Sequence, residues 1–268
     1  MNSSATPLLI VGAGRMGGAL IAGWRRAGAV SPAELILRDP NPGAEALEVE
    51  AAGARLNPPD ADLAEARIVL LAIKPQLWRG AAAQIAPHLA ADAAIISIMA
   101  GVSARDISAA LGGRATARVM PTTAAAIGKG AFSLFAADAG LRRRAGDLFA
   151  PLGVVVDLPD ESLMHAATAA SGSAPAYLYA FSDALEAAAA DAGLAADAAR
   201  SLVRATIVGA AALLDLTGED PAELRRQVTS PGGTTQAALE VLTGEGGFPD
   251  LLQRAVAAAA ARSRELGG

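Results

Sequence analysis

The chain has 268 residues, enough for one large domain or two ordinary ones, is 53% hydrophobic with mean hydropathy +0.36, and carries a net charge of −5 with only 18% charged residues. That balance gives no electrostatic footprint for nucleic acid or an anionic membrane surface, and 3% aromatics are too few for a base-stacking platform. With no cysteine, disulfides, zinc–thiolate sites, iron–sulfur clusters and cysteine nucleophiles are excluded, and His88 and His165 alone do not make a multi-histidine metal site.

In chain order, the first half alternates short apolar runs with helical patterns. LLIVG (8–12) reads as a buried strand and MGGALIAGWRRAG (16–28) as a helix closed by Gly28. A strand over 34–39, a helix over 42–52, a strand over 67–73 and a helix over 76–86 follow. Next come a strand over 93–99, a helix over 103–111 and a strand over 115–120. Two further strands, 130–136 and 153–158, flank a helix over 140–149. Strands alternating with helices imply a mostly parallel, doubly wound α/β sheet of Rossmann type covered on both faces.

The pattern changes at Pro159-Asp160, so domains are expected at 1–159 and 160–268. The second is expected to be all helical. A helix over 162–170 is interrupted by SGSAP (171–175), and helices over 176–194 and 197–218 follow. The last of these is apolar nearly all round, with Leu202, Leu213 and Leu216 off the main stripe. Such a helix needs burial on several sides, which a domain of this size does not provide. The polar stretch LRRQV (224–228) and the small-residue loop SPGGTT (230–235) precede an apolar helical run over 236–242. The longest apolar runs, 93–104 and 205–214, are shorter than the ~20 residues a membrane span needs. The N-terminus lacks the basic region of a signal peptide, so a cytoplasmic protein is expected.

Gly12-Ala13-Gly14-Arg15-Met16-Gly17 follows a strand and opens a helix. The first glycine suits the tight turn, the second a close approach to a pyrophosphate, and the third close packing of helix on strand. The helix start then faces phosphate, so NAD or NADP is the expected cofactor. Asp39, at the end of the second strand, would accept hydrogen bonds from ribose hydroxyls, whereas Arg38 beside it would meet a 2′-phosphate. The two signals conflict, and the choice between NADPH and NADH stays open. Ala72, Lys74 and Pro75 end the 67–73 strand, on the side of the sheet where ligands bind; a solvated surface lysine is the plain alternative for Lys74.

Together with GAGRMGGAL (12–20) and AIKPQ (72–76), the segments ARVMPTTAAAIGKG (117–130), SGSAPAYLYAFSDALEAAAADAGL (171–194) and VTSPGGTTQAALEVL (228–242) resemble pyrroline-5-carboxylate reductase over nearly the whole chain. The resemblance implies a helical dimerisation domain after the Rossmann domain. It also implies reduction of 1-pyrroline-5-carboxylate to L-proline with NAD(P)H, the last step of proline biosynthesis. It places Met120, Pro121 and Thr122 beside the cofactor, although the family usually has asparagine at the position of Thr122, proline at that of Ala124, and glycine or serine at that of Ala174.

SPGGTT then becomes the substrate site. Main-chain N–H groups of Gly232, Gly233 and Thr234 at a helix start would hold the ring carboxylate, with Ser230 in the same loop. Thr235 would present its hydroxyl to the ring nitrogen, as the family's matching threonine does. A cyclic imine can bind already protonated, so the reaction needs no strong side-chain acid. By the resemblance the pocket lies where two subunits meet, so a homodimer is expected, and a decamer is compatible with it. Three other readings stand beside this one: a reductase of a related cyclic imine, a β-hydroxyacid dehydrogenase-type enzyme, and a non-catalytic dinucleotide-binding protein. The second commonly uses a lysine on a helix of its second domain, and this chain has no lysine after Lys129.

Overall fold

The computed structural model describes residues 6–266; residues 1–5, on which part of the leader reading rests, lie outside the described residues. Eight strands form one sheet: β1 (Leu8–Val11), β2 (Leu35–Arg38), β3 (Arg55–Leu56), β4 (Ile68–Leu71), β5 (Ala94–Ser97), β6 (Thr116–Pro121), β7 (Gly130–Ala136) and β8 (Gly153–Asp157). Their spatial order is β3-β2-β1-β4-β5-β6-β7-β8, with every pair parallel except β6–β7. The chain order reverses between β1 and β4, and in such a sheet ligands bind outside the strand ends at that reversal.

The helices of this half are α1 (Arg15–Ala27), α2 (Ala44–Ala51), α3 (Trp78–Ile85), α4 (Ala104–Ala110) and α5 (Ala139–Phe149). Side chains alternate across each strand, so one apolar run supplies two cores. Leu8 and Ile10 of β1 join Leu37, Leu70 and Ile96 under α1, α2 and α5, where Leu20, Ile21, Trp24, Val49, Leu141 and Phe149 are buried. Leu9 and Val11 join Ile36, Val69, Leu71 and Ile95 under α3 and α4, against Trp78, Ile85 and Ile107. Burying both faces explains the continuous apolar strands. β3 has no such run and was not foreseen: it is two residues long, in an ARLNPP stretch whose prolines forbid longer pairing.

No strand follows β8 among the described residues. The remaining helices are α6 (Met164–Ala167), α7 (Ala174–Asp191), α8 (Ala196–Thr217), α9 (Pro221–Gln227), α10 (Thr234–Leu242) and α11 (Phe248–Glu265). The interruption expected over SGSAP is narrower: α6 continues as a π-helical turn over Thr168–Gly172, the break falls at Ser173, and Pro175 then sits in the first turn of α7. Two hydroxyls favour the wide turn, because Thr168 donates to the Met164 carbonyl at 2.6 Å and Ser171 to the Ala167 carbonyl at 2.8 Å. The polar stretch 224–228 forms the end of α9 and its C-cap Val228; the N-cap Asp220 accepts from the Ala222 N–H at 2.7 Å.

The chain divides into two compact units, one reaching Gly172 and including the segment from Ala258 onward, the other Ser173–Ala257. In the second unit, α8 is left largely uncovered, as its apolar circumference in so small a domain leads one to expect. Only Ala199 and Val203 are buried, while Val208 is 68% and Leu216 84% exposed. No helix among the described residues is long and apolar enough to cross a membrane.

His165 on α6 is part-buried, and its Nδ1 lies 3.0 Å from the Ser263 Oγ of α11. Burial lowers its pKa, helped by the positive charges of Arg118 and Arg264 and opposed by Glu161. The unfolded chain therefore binds the proton more readily than the folded one. The stability His165 contributes is intact above about pH 6.5, its unfolded value, and declines as pH falls below that. Between pH 7.5 and 5.5, His165→Asn is expected to lose less of its urea midpoint than the parent chain does. Equal losses would mean that His165 does not couple folding to protons.

Candidate active site

The Gly12–Gly17 loop leaves β1 and enters α1 at the reversal point of the sheet. Gly12 has φ +96°, a conformation that favours glycine, and a Cβ there would stand 2.6 Å from the Ala72 carbonyl oxygen. A Cβ on Gly17 would stand 2.2 Å from the Gly12 carbonyl oxygen, so α1 can lie this close to the strand only with glycine at that position. A Cβ on Gly14 would meet nothing within 4 Å. The loop is thus closed toward the protein at Gly12 and Gly17 and open at Gly14, as a cradle for a pyrophosphate must be. Beside it lies a cleft of about 370 Å³, lined in part by Ala13, Gly14, Arg15, Gly18, Asn41 and Gly43. Met16 faces inward and packs on the core beneath α1.

Asp39 is committed to this loop. Its Oδ2 accepts the Ala13 N–H at 2.6 Å and its Oδ1 the Asn41 N–H at 2.8 Å. The Asp39 main chain is bracketed by the Asn57 side chain, which accepts from the Asp39 N–H at 3.0 Å and donates to its carbonyl at 2.8 Å. Asn57 holds φ +48°, a left-handed turn that asparagine tolerates. Asn41 and Asn57 were not foreseen as partners of Asp39; the Asn-Pro steps at 41–42 and 57–58 were their local signals. Arg38 pairs with Asp60, whose other carboxylate oxygen lies 3.6 Å from the His88 Nε2. Lys74 is exposed, ahead of a short turn that begins with Pro75.

At the far end of β6, Met120 is buried and a Cβ on Gly172 of the π turn would come within 3.2 Å of its Sδ. Thr122 is also buried, and its Oγ1 accepts the Ala131 N–H of β7 at 3.0 Å. Its hydroxyl retains a proton to donate. Four residues before Thr122, Arg118 is 3% exposed along its side chain and donates to Glu161 Oε1 at 3.1 Å. Burial lowers the Arg118 pKa and the carboxylate opposes that. The same Glu161 oxygen accepts the Ala104 N–H at 2.7 Å, while the Arg118 Nε has no partner.

In the second unit, SPGG forms a tight turn. Proline presets the backbone at 231, Gly232 takes φ +70°, and the Gly233 N–H donates to the Ser230 carbonyl at 3.0 Å, the pattern of a type II turn. The Gly232 N–H donates to the Gln236 Oε1 at 2.8 Å, and the Gln236 amide is in turn held by Glu240 at 3.0 Å. The expected donor set therefore changes. Gly232 and Gly233 are engaged within the loop, whereas the N–H groups of Thr234, Thr235 and Gln236, in the first turn of α10, meet no acceptor among the described residues. Local sequence could not show this, because glutamine reaching back one turn competes with any anion for the same donor.

Residues 161–266 match the family model for pyrroline-5-carboxylate reductase dimerisation, and residues 7–101 that for NADP oxidoreductase, coenzyme F420-dependent. The pyrroline-5-carboxylate reductase of Pseudomonas aeruginosa is 37% identical, over 98% of this chain and 97% of its own. That of Pisum sativum is 35% identical over the same shares. Among solved structures, a pyrroline-5-carboxylate reductase from Coxiella burnetii superposes with TM-score 0.88 at 29% identity, covering 98% of this chain and 99% of its own. A Plasmodium falciparum pyrroline carboxylate reductase with NADP bound gives TM-score 0.85 at 26% identity, covering 99% of both.

Proposed function

The chain belongs to the pyrroline-5-carboxylate reductase family, and from that premise we propose how its residues divide the work. It is an NAD(P)H-dependent oxidoreductase that reduces 1-pyrroline-5-carboxylate to L-proline, the closing step of proline biosynthesis. When bound, the dinucleotide supplies the hydride that the imine carbon accepts. Residues 1–159 serve the cofactor and 160–268 serve substrate and dimerisation. A cytoplasmic location belongs to the same reading, since the reaction draws on a cofactor of the cell interior.

Gly14 and Arg15 hold the pyrophosphate, with the open face at Gly14 as support, while Gly12 and Ala13, whose N–H groups donate to the Arg38 carbonyl and to Asp39, shape the loop. Met120 and Thr122 bound the nicotinamide side, Thr122 through its remaining hydroxyl proton. The observation that carries the substrate reading is the first turn of α10, with three unengaged N–H groups behind a Pro-Gly turn. Those of Thr234 and Thr235 hold the carboxylate, which a helix start favours. The Thr235 hydroxyl orients the ring nitrogen, and Ser230 shapes the turn through its carbonyl. Catalysis is then chiefly orientation and fixed dipoles, which suits a chain with two histidines.

The function is tested by steady-state oxidation of NADPH and of NADH by the purified protein, with and without the imine. Oxidation that depends on the imine and yields proline is expected. No turnover with either nucleotide despite tight dinucleotide binding would overturn the substrate assignment. Thr235→Ala is expected to lower kcat/KM at least tenfold, about 1.4 kcal/mol, with nucleotide affinity unchanged. An unaltered kcat/KM would remove Thr235 from the site.

A further inference from the structure

The end of β2 sets Arg38 and Asp39 side by side, and the two call for opposite cofactors. Asp39 is held by the glycine loop and the Asn41 turn, and its main chain is clamped by Asn57. It therefore stays in place whichever nucleotide binds. Arg38 is different. Its side chain is 27% exposed and paired with that of Asp60, which is 55% exposed. The left-handed turn at Asn57 and the two prolines after it deliver Asp60 to that place.

We propose that Asp60 sets the cofactor preference: by pairing with Arg38 it withholds that cation from the 2′-phosphate of NADPH and tilts the enzyme toward NADH. The inference rests on the reading that the Gly12–Gly17 loop binds a dinucleotide. Charge supports it. Arg38, Asp39 and Asp60 together carry one net negative charge, which repels a phosphate at the ribose 2′ position and is indifferent to a hydroxyl. Because the pair is open to solvent, its hold is modest, so NADPH is disfavoured by about fivefold rather than excluded.

The test uses full-length protein in phosphate-free buffer, with dissociation constants for NADPH and NADH read from nucleotide fluorescence in the absence of imine. Asp60→Asn keeps the side-chain shape and removes the charge. It is expected to tighten NADPH about fivefold while NADH stays within about twofold. Adding Arg38→Ala to Asp60→Asn should abolish the gain. An unchanged NADPH-to-NADH ratio in Asp60→Asn, or a gain that survives loss of Arg38, would overturn the proposal while leaving the dinucleotide reading intact. If the parent chain bound neither nucleotide, the loop reading and this inference would fall together. Should both nucleotides bind without any turnover of the imine, only the substrate assignment would fail, and the ratio would still decide the role of Asp60.

Discussion

Glu161→Ala is expected to destabilise the fold by about 3 kcal/mol, one of the largest losses available to a single polar substitution. The reason is the group it abandons. Arg118 lies on a central strand with its side chain 3% exposed, its Nε unpartnered and its Nη2 only 3.4 Å from the Met99 carbonyl. Glu161 is its counter-charge and also the acceptor of the Ala104 N–H. Removing the carboxylate strands a buried cation and orphans a main-chain donor at the start of α4. Replacing both partners should cost far less, so Arg118→Met combined with Glu161→Ala is expected to recover most of the stability. Urea midpoints at constant slope measure this. A Glu161→Ala stability within about 0.5 kcal/mol of the parent would show that water replaces the carboxylate and that the pair does not tie the turn before α6 to the sheet.

Gly17→Ala and Gly14→Ala differ by position alone and should part widely. The methyl at 17 would drive against the Gly12 carbonyl oxygen, a main-chain atom that cannot swing aside. α1 must then move off the strand and open the loop, costing about 1–3 kcal/mol of stability. Dinucleotide affinity is expected to fall at least a hundredfold, about 2.7 kcal/mol. The methyl at 14 meets nothing in the protein, and its φ of −71° suits alanine. Stability should therefore stay within about 0.5 kcal/mol. Binding should still weaken about tenfold, because the methyl occupies the face that the pyrophosphate approaches. Nucleotide titration with a parallel urea curve separates the two. If Gly14→Ala bound nucleotide like the parent chain, the open face of the loop would not be the phosphate face.

What could be read beforehand and what could not follow from the range of the interactions. The strands of the first half declared themselves because burial on both faces leaves long apolar runs such as RIVLLAI (67–73). The Gly12–Gly17 turn was legible because its glycines answer largely to contacts within one βα unit, with Ala72 and Ile73 as more distant neighbours of Gly12. β3 was not, since two residues between turns carry no periodicity. Hydrogen-bond allocation was the least legible layer. Nothing near Gly232 in sequence says that Gln236 folds back on it, and nothing near Arg38 names Asp60, twenty-two residues on, as its partner. The break at SGSAP was placed correctly in kind but drawn too wide, because small residues mark a loop and a π-helical turn alike. For α8, the apolar circumference was legible, and so was the lack of room to cover it within one chain; the pattern records that a face is to be covered without recording which residues cover it.

That wet face of α8 has a consequence for the cell. Leu202, Val208, Leu213 and Leu216 stand in water in a single chain, within a segment that matches a dimerisation model. When a second copy covers them, native structure is favoured by mass action, and the folded fraction depends on how many copies are present. Abundance then becomes part of the enzyme's stability. Chains made sparsely would spend longer exposed to proteases and chaperones than chains made in quantity, so halving synthesis is expected to remove more than half of the activity. Expression level and fold stability are, for such a chain, a single inherited trait.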